Sequence, residues 1–481
     1  MAEIRCPLQE AAQISKREVA LTTSEGTLCY EELDQIVSAT SLALLAAGCV
    51  RGDRVALLMP NEWRHVVLFM ALLRIGAVAC PLSTRLPPGA LRPRLDQVSA
   101  RAMITPDGTA PDGVGAATIV WSADSLVSMV SPDGAKIPAC RMQLSQPATI
   151  LFTSGSGGSP KAVLNSFGNH YYSAFGSNRN LRVRSKEHWL VSLPLYHIGG
   201  VQILFRCFMG GAGIIIPEDG TTLNDAVEQY HPSHMSMVGT QLQRLLRHRP
   251  SSNGNAGARI LLGGGPVSAD LLEEAMGSGL RVCMSYGLTE MTSQVTTVPP
   301  DAPPSKRLTS GRLLSHRDLR VAGDGELLVR GDTRFLGYVD GASIEEPFDK
   351  DGWFATGDLG TLDEEGYLSV IGRKDNMFVS GGENIHPEEI EAALCGVPGV
   401  NEALVVPVED KEFGRRPVAF VKLDKTRGDL DSIEQAVVDA LPRFKIPDVV
   451  LPWPENGEGE LEPDRKWFAD VAAETWRRNA S

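Results

Sequence analysis

A run of hydroxyls and glycines, Thr153-Ser154-Gly155-Ser156-Gly157-Gly158-Ser159-Pro160-Lys161, follows the largely apolar Ala148-Thr149-Ile150-Leu151-Phe152 and closes on a lysine. Glycines let backbone N–H groups converge on an anion, hydroxyls add donors, and the lysine supplies a point charge. That is the chemistry of a triphosphate cradle. The spacing departs from the Walker pattern, which ends in Gly-Lys-Ser/Thr where this run has Ser-Pro-Lys. A Gly/Ser run with one lysine also makes an ordinary surface linker, so this run alone leaves both readings open.

Four further segments carry residue types able to do chemistry. Leu193-Pro194-Leu195-Tyr196-His197-Ile198-Gly199-Gly200 sets a histidine after a strand pattern and before an apolar helical one. Gly263-Gly264-Gly265-Pro266 follows another strand pattern, where a glycine run permits close backbone approach to a flat ligand. Ser285-Tyr286-Gly287-Leu288-Thr289-Glu290 supplies an aromatic ring, hydroxyls and a carboxylate. Trp353-Phe354-Ala355-Thr356-Gly357-Asp358-Leu359-Gly360 offers an aspartate in a predicted Gly-rich turn. In open α/β sheets ligands lie beyond the carboxyl ends of strands, which is where the first three fall. Singly, each has a plain structural reading: His197 a structural histidine, Tyr286 a core aromatic, Glu290 a solvated carboxylate, Asp358 an Asx-turn.

The elements that must position these residues alternate between short apolar strands and helical patterns, which predicts an α/β fold built in layers. Strands are expected at Asp53–Met59, Gly76–Leu82, Trp189–Leu193, Gly213–Ile216, Arg259–Leu262 and Arg281–Cys283, with helices at His65–Ile75, Val201–Met209 and Ala269–Met276. Pro299–Arg312 reads as a connecting loop, and Gly325–Gly331 and Gly366–Gly372 as strands. After Pro387 the pattern is helix (Glu388–Cys395), strand (Glu402–Pro407), strand (Val418–Leu423) and helix (Leu430–Leu441), a smaller α+β unit. The expected division is a large domain over 1–372, a hinge at 373–375 and a small C-terminal domain over 376–481, broken at the polar Gly372-Arg373-Lys374-Asp375.

A chain of 481 residues with 43% hydrophobic and 22% charged content is a globular protein of more than one domain. Its net charge of −13 argues against nucleic acid or an anionic membrane as partner, so any phosphate ligand must be held by local donors. Eight scattered cysteines without a CxxC pair point to a reducing cytoplasm. No signal sequence and no stretch able to span a bilayer are expected. Oligomeric state is left open, a homodimer included.

Taken together and in this order, the motifs resemble the adenylate-forming superfamily of acyl- and aryl-CoA synthetases, firefly luciferase and peptide-synthetase adenylation domains. The likeness runs from about Thr27 to Arg465 and includes Gly372-Arg373-Lys374-Asp375 and Ser380-Gly381-Gly382-Glu383-Asn384-Ile385-His386-Pro387. It implies a large α/β domain with a small mobile α+β domain, and ATP, Mg2+ and CoA as cofactor and co-substrates. It assigns Thr153, Ser154, Gly155, Ser156 and Lys161 to the ATP phosphates. Gly264, Gly265, Pro266, Ser285, Tyr286 and Gly287 would frame the adenine, with Thr289 near the α-phosphate and Glu290 on magnesium. Asp358 and Arg373 would hold the ribose, Asp375 would act as the hinge, and Gly381 and Gly382 would line the CoA tunnel. The residues implied in catalysis are Lys161, His197, Thr289 and Glu290; the acyl group would lie against His197, Arg206, Gly263 and Leu288. The implied reaction joins a small-molecule carboxylate first to AMP and then to CoA.

Within the superfamily the likeness is greatest to the branch of o-succinylbenzoate–CoA ligases in menaquinone biosynthesis. It rests on Pro194–Gly200 leading to Gln202 and Arg206, on Leu261–Val267, on Phe378–Glu383 and on Val406–Pro417. Arg206 lies in Val201–Met209, apolar almost all round, where an unpaired guanidinium is expensive. A second substrate carboxylate would pair with it; a protein carboxylate, or a side chain reaching the surface, would answer equally well. Two positions depart from the superfamily. Gly157 replaces a second hydroxyl in the phosphate loop, and Glu460 aligns with the lysine that bridges carboxylate and phosphates during adenylation. Three explanations stay open: Lys466 substitutes, a Lys→Glu change has crippled adenylation, or the chain binds nucleotide without turnover.

Overall fold

The computed structural model describes the chain except residues 1, 116–117, 128–139, 154–159, 248–256, 266, 268, 398, 424–432, 434–440, 455–462 and 480–481. The strand Arg54–Leu57 runs into the helix Trp63–Ile75, which ends at Gly76 in the left-handed region (φ 78°) before the strand Val78–Pro81 returns parallel to the first. A glycine there closes the helix at no steric cost. The helix is buried on nearly every side, as its lack of a polar face predicts.

Repetition of such units gives two large sheets, of eight and nine strands. In the first, Ile119–Ser122, Ala102–Thr105, Arg54–Leu57, Val78–Pro81 and Pro147–Thr153 run parallel, and the hairpin Pro147–Thr153/Lys161–Ser166 turns its far side antiparallel. In the second, Val19–Thr23, Gly213–Ile215, His188–Leu190, His234–Met237, Arg259–Leu262 and Arg281–Leu288 run parallel. One apolar cluster joins Val55 and Leu57 of the first sheet to Leu21 and Ile214 of the second through the helices Tyr30–Ala46, Trp63–Ile75 and Ile198–Gly210. Those helices therefore form a buried layer between the sheets.

A four-stranded antiparallel sheet, Arg317–Val321, Glu326–Gly331, Phe354–Leu362 and Leu368–Arg373, completes the large domain. The small domain has the hairpin Phe378–Ser380/Glu383–Ile385, the helix Pro387–Cys395, a three-stranded sheet and the helix Arg465–Asn479. It has its own apolar clusters, one around Ile390, Leu394, Val405 and Val421, another around Phe420 and Phe468. The architecture is thus α/β, with a large N-terminal and a small C-terminal domain.

Three expectations need correction. Ser285–Leu288 does not follow a strand but belongs to one, Arg281–Leu288, because its second half pairs antiparallel with Ser293–Thr297 after the parallel pairing of its first half ends. Asp358 is not in a turn: it lies inside the strand Phe354–Leu362, opposite Arg373, with the flanking glycines absorbed by a positive φ at Gly357 and a register shift at Leu359/Gly360. The strand expected over Gly366–Gly372 is observed at Leu368–Arg373, one residue further into the polar stretch Gly372–Asp375. Most of the helix expected over 430–441 lies outside the described residues.

Candidate active site

Thr153 and Lys161 face each other across the hairpin of the first sheet. Ser154, Gly155 and Ser156, like Pro266 and Glu460, lie outside the described residues. Beside Lys161 the neighbouring strand brings in Tyr338, with the Lys161 Nζ 4.6 Å from the centre of its ring. The Tyr338 hydroxyl donates to Glu290 Oε1 at 2.8 Å. Lysine, phenol and carboxylate therefore form one chain, although Lys161 lies in the first sheet and Glu290 follows a strand of the second.

Glu290 sits in the single helical turn Thr289–Met291 that ends the strand Arg281–Leu288. Burial raises its carboxyl above the usual range, against the Tyr338 hydrogen bond and the charges of Lys161 and Arg373. Its remaining oxygen is free of Tyr338. Among the described residues no group of three His, Cys, Asp or Glu could hold a metal. One carboxylate suffices for an Mg2+ carried mainly by phosphates and water.

A second chain of contacts starts from the same strand. The Tyr286 hydroxyl donates to Asp358 Oδ2 at 2.6 Å, and Arg373 Nη1 donates to Asp358 Oδ1 at 2.9 Å. Arg373 Nη2 lies 3.3 Å from Asp375 Oδ2. Burial raises the Asp358 carboxyl, while Tyr286 and Arg373 pull it back. Gly357 makes room: a Cβ there would stand 2.9 Å from Arg373 Nη2. Adjacent to this chain Ser285 Oγ donates to the carbonyl of Leu262 at 3.0 Å, and Gly263 packs against the same hydroxyl. Gly264 and Gly265 follow at φ 88° and 144°, and nothing lies within 4 Å of a Cβ built on Gly265, an open backbone face for a flat ring.

His197 is the N-cap residue of the helix Ile198–Gly210, its ring 4.7 Å from that of Tyr196. Arg206 lies on the same helix and is fully buried. Its Nε donates to Ser177 Oγ at 2.9 Å, and its Nη2 to Ser293 Oγ at 3.1 Å and Gln294 Oε1 at 2.9 Å. Its Cζ stands 5.3 Å from the centre of the Trp189 ring, and Nη1 has no hydrogen-bond partner among the described residues. Neither of the protein-based alternatives holds: the side chain does not reach the surface, and no carboxylate of the described residues pairs with it. Burial pushes the guanidinium down to about 9. Desolvating such an ion costs several kcal/mol, whereas bonds to a charged group return about 1.5–3 kcal/mol each, and one donor here is unused. Three such bonds do little more than offset the desolvation, so folding gains little from Arg206.

Gln202, one turn earlier, donates from Nε2 to His170 Nδ1 at 2.8 Å, and His170 Nε2 is 2.8 Å from Thr149 Oγ1. The buried imidazole is held neutral, pushed down to about 3, and ties the Arg206 helix to the first sheet. In the small domain, Gly381 and Gly382 form the turn of the hairpin at φ 58° and 90°. The Gly381 N–H donates to the Phe413 carbonyl at 2.9 Å. Leu288 and Thr289 lie at the junction between the two chains of contacts.

Sequence reasoning missed Tyr338, Ser177, Ser293, Gln294 and Arg317. A signal existed for Arg317, whose strand Arg317–Val321 places it on the face of Leu319 and Val321.

Residues 8–339 match the family described as AMP-binding enzyme, and residues 389–456 match the AMP-binding enzyme C-terminal domain. The 2-succinylbenzoate–CoA ligase of Listeria monocytogenes is 33% identical over 464 residues, covering 95% of this chain and 98% of that protein. The structure of Bacillus subtilis o-succinylbenzoate CoA synthetase in complex with the acyl-adenylate intermediate OSB-AMP superposes with a TM-score of 0.86 at 30% identity, covering 97% of this chain and 98% of the other. A variant of E. coli MenE with bound OSB-AMS gives 0.85 at 29% identity, over 98% and 99%. The chain belongs to the AMP-binding enzyme family.

Proposed function

We propose that the chain is an AMP-forming acid–thiol ligase that converts o-succinylbenzoate to its CoA thioester. The observation that carries the substrate is Arg206, a buried cation with an unused donor and no acid among the described residues. A dicarboxylate supplies what is missing: one carboxylate pairs with Arg206 while the other reacts. The names of the relatives agree.

The reaction has two halves. The reacting carboxylate oxygen attacks the α-phosphorus of ATP, the bond to the bridging oxygen breaks, and pyrophosphate leaves. The thiol sulfur of CoA, its proton lost, then attacks the acyl carbon and AMP departs. Lys161, held over Tyr338, balances charge on the phosphates, and Thr289 meets the α-phosphate. Glu290 offers its free oxygen to magnesium, which when bound neutralises charge on the phosphates. Asp358 takes the ribose hydroxyls, oriented from both sides by Tyr286 and Arg373. Ser285 and the backbone of Gly263–Gly265 receive the adenine. His197 meets the acyl group at the start of the helix that also carries Arg206. Gly381 and Gly382 approach the CoA arm after the small domain turns about Asp375, and the domain boundary accordingly falls at 373–375.

The eight cysteines are free thiols, which suits a reducing, cytoplasmic setting. Among the described residues no helix is long and apolar enough to cross a membrane.

Pyrophosphate release from Mg-ATP with a panel of carboxylates, with and without CoA, tests the reading. Release confined to o-succinylbenzoate and followed by its thioester supports it; release with other acids but not this one sinks the substrate. Glu460 favours a second reading, a chain that binds nucleotide with a weakened first half-reaction, since a carboxylate repels the anions a lysine would attract. Glu460→Lys is then expected to raise the adenylation rate about tenfold or more. A variant no faster than the parent removes that reading.

A further inference from the structure

The turn joining the Glu290 side of the site to the Arg206 side is held by a group with no part in the reaction above. Thr292 and Ser293 both have positive φ, 52° and 94°, where side chains are rare. Such backbone persists only where the surroundings over-determine it, and it concentrates at functional sites. Here Ser173 Oγ donates to the Thr292 carbonyl at 2.5 Å, and Thr292 Oγ1 lies 2.9 Å from Asn165 Oδ1 and 2.8 Å from the Thr333 carbonyl.

Arg317 completes the clamp. It is 4% exposed; its Nε donates to the Gln294 carbonyl at 2.5 Å, Nη1 to the Ser315 carbonyl at 2.7 Å, and Nη2 to Ser173 O and Oγ at 3.2 and 3.0 Å. Gln294 is thus shared: its backbone carbonyl holds Arg317, and its side-chain carbonyl holds Arg206. The helix Phe167–Leu181 is shared as well, giving Ser173 to Arg317 and Ser177, one turn on, to Arg206. Between those serines Gly176 leaves the space Arg317 occupies, since a Cβ there would stand 2.5 Å from Arg317 Nη1 and 3.0 Å from Ser315 O.

Among the described residues neither guanidinium has a carboxylate partner: every acceptor around the pair is a hydroxyl, a carboxamide or a peptide carbonyl. Two like charges are buried side by side, and both lose stability in the charged form through burial. Gln294 orients Arg206 without neutralising it, where a glutamate of the same shape would cancel the charge. Arg317 has its donors engaged, whereas Arg206 keeps Nη1 free. The division is of labour: one cation is fixed, the other reaches.

We propose that Arg317 is a positioning residue that determines specificity: by clamping Gln294 it sets the orientation of Arg206, and its own uncompensated charge makes the acyl pocket prefer a substrate with a second anionic group. The inference rests on the ligase reading above.

The test compares o-succinylbenzoate with an analogue whose non-reacting carboxylate is replaced by hydrogen, in wild type, Arg317→Gln, Gly176→Ala and Gln294→Glu. Expected is a fall of about tenfold or more in the ratio of the two kcat/KM values, mostly through KM for the diacid, with KM for ATP within about twofold of wild type. A purely structural role would slow both substrates alike and leave the ratio where it was; that result, in variants that fold, overturns the proposal. Should Arg317→Gln fail to fold, Gly176→Ala decides, because its added methyl presses on Arg317 Nη1 and leaves Gln294 and Arg206 unchanged in sequence. Gln294→Glu, which keeps the side-chain volume and adds a partner for the buried cations, is expected to raise the thermal midpoint while lowering the ratio. A wild type that does not use o-succinylbenzoate overturns the ligase reading and this proposal with it. A selective wild type with equally selective variants overturns the proposal alone.

Discussion

The two ends of the site handle charge in opposite ways. On the proposed nucleotide side the acids meet a cation or a neutral donor: Asp358 with Arg373, Asp375 with Arg373, Asp324 and Glu326 with Lys374, Glu290 with Tyr338. On the acyl side Arg206 and Arg317 are buried among hydroxyls and amides without an acid in reach among the described residues. The first arrangement is self-sufficient, and water or the triphosphate exchanges with partly exposed groups at small cost. The second is incomplete until an anion enters. An unmatched buried charge therefore says more about a ligand than a matched one, because folding alone gives no reason to keep it.

The sharpest break in that contrast is Arg206→Met. Removing the unmatched cation is expected to lower kcat/KM for o-succinylbenzoate by about a thousandfold while the thermal midpoint holds or rises. A drop in stability as large as the loss of activity would show that Arg206 is structural. On the nucleotide side Lys161→Ala is expected to lower kcat by about a hundredfold, read by pyrophosphate release, with the preference among carboxylates intact. A changed preference would merge the two regions into one.

The raised Glu290 carboxyl gives a pH test of the same side. An acid whose value is raised gains its proton at a higher pH than usual, so Mg-ATP binding is expected to weaken on acidification before ordinary carboxylates titrate. KM for ATP against pH checks this, and the dependence should flatten in Glu290→Gln. The smallest effect belongs to Lys374, whose pairs at 2.8 and 3.0 Å are exposed. Lys374→Ala is expected to leave the midpoint of chemical denaturation almost where it was, with any shift smaller still in high salt.

The layered α/β core was legible because its signals are local. The strand Arg259–Leu262 has its predicted bounds, and the helix Ala269–Gly277 differs from expectation by one residue, since apolar period and glycine stops set both. Asp358 was misplaced for the same reason: Gly357 and Gly360 look like a turn until a partner strand exists to absorb them. The partners of Arg206 were beyond reach. Ser293 is separated from it by 87 positions in the chain, and nothing local marks a serine as the acceptor of a distant guanidinium. What composition did say was that a cation in so apolar a helix needs a partner. Tyr338 carried no signal, because its role exists only where two sheets meet.

The strand Arg281–Leu288 changes neighbour halfway along, and the return strand Ser293–Thr297 is its hairpin mate. One continuous stretch therefore supplies Ser285 and Tyr286 to the proposed nucleotide side of the site and Ser293 and Gln294 to the proposed acyl side. For anyone redesigning this enzyme toward a different acid, the acyl pocket is not a detachable module. Exchanging its polar wall as a segment would carry the proposed adenine contacts along with it, so new selectivity has to be introduced one side chain at a time.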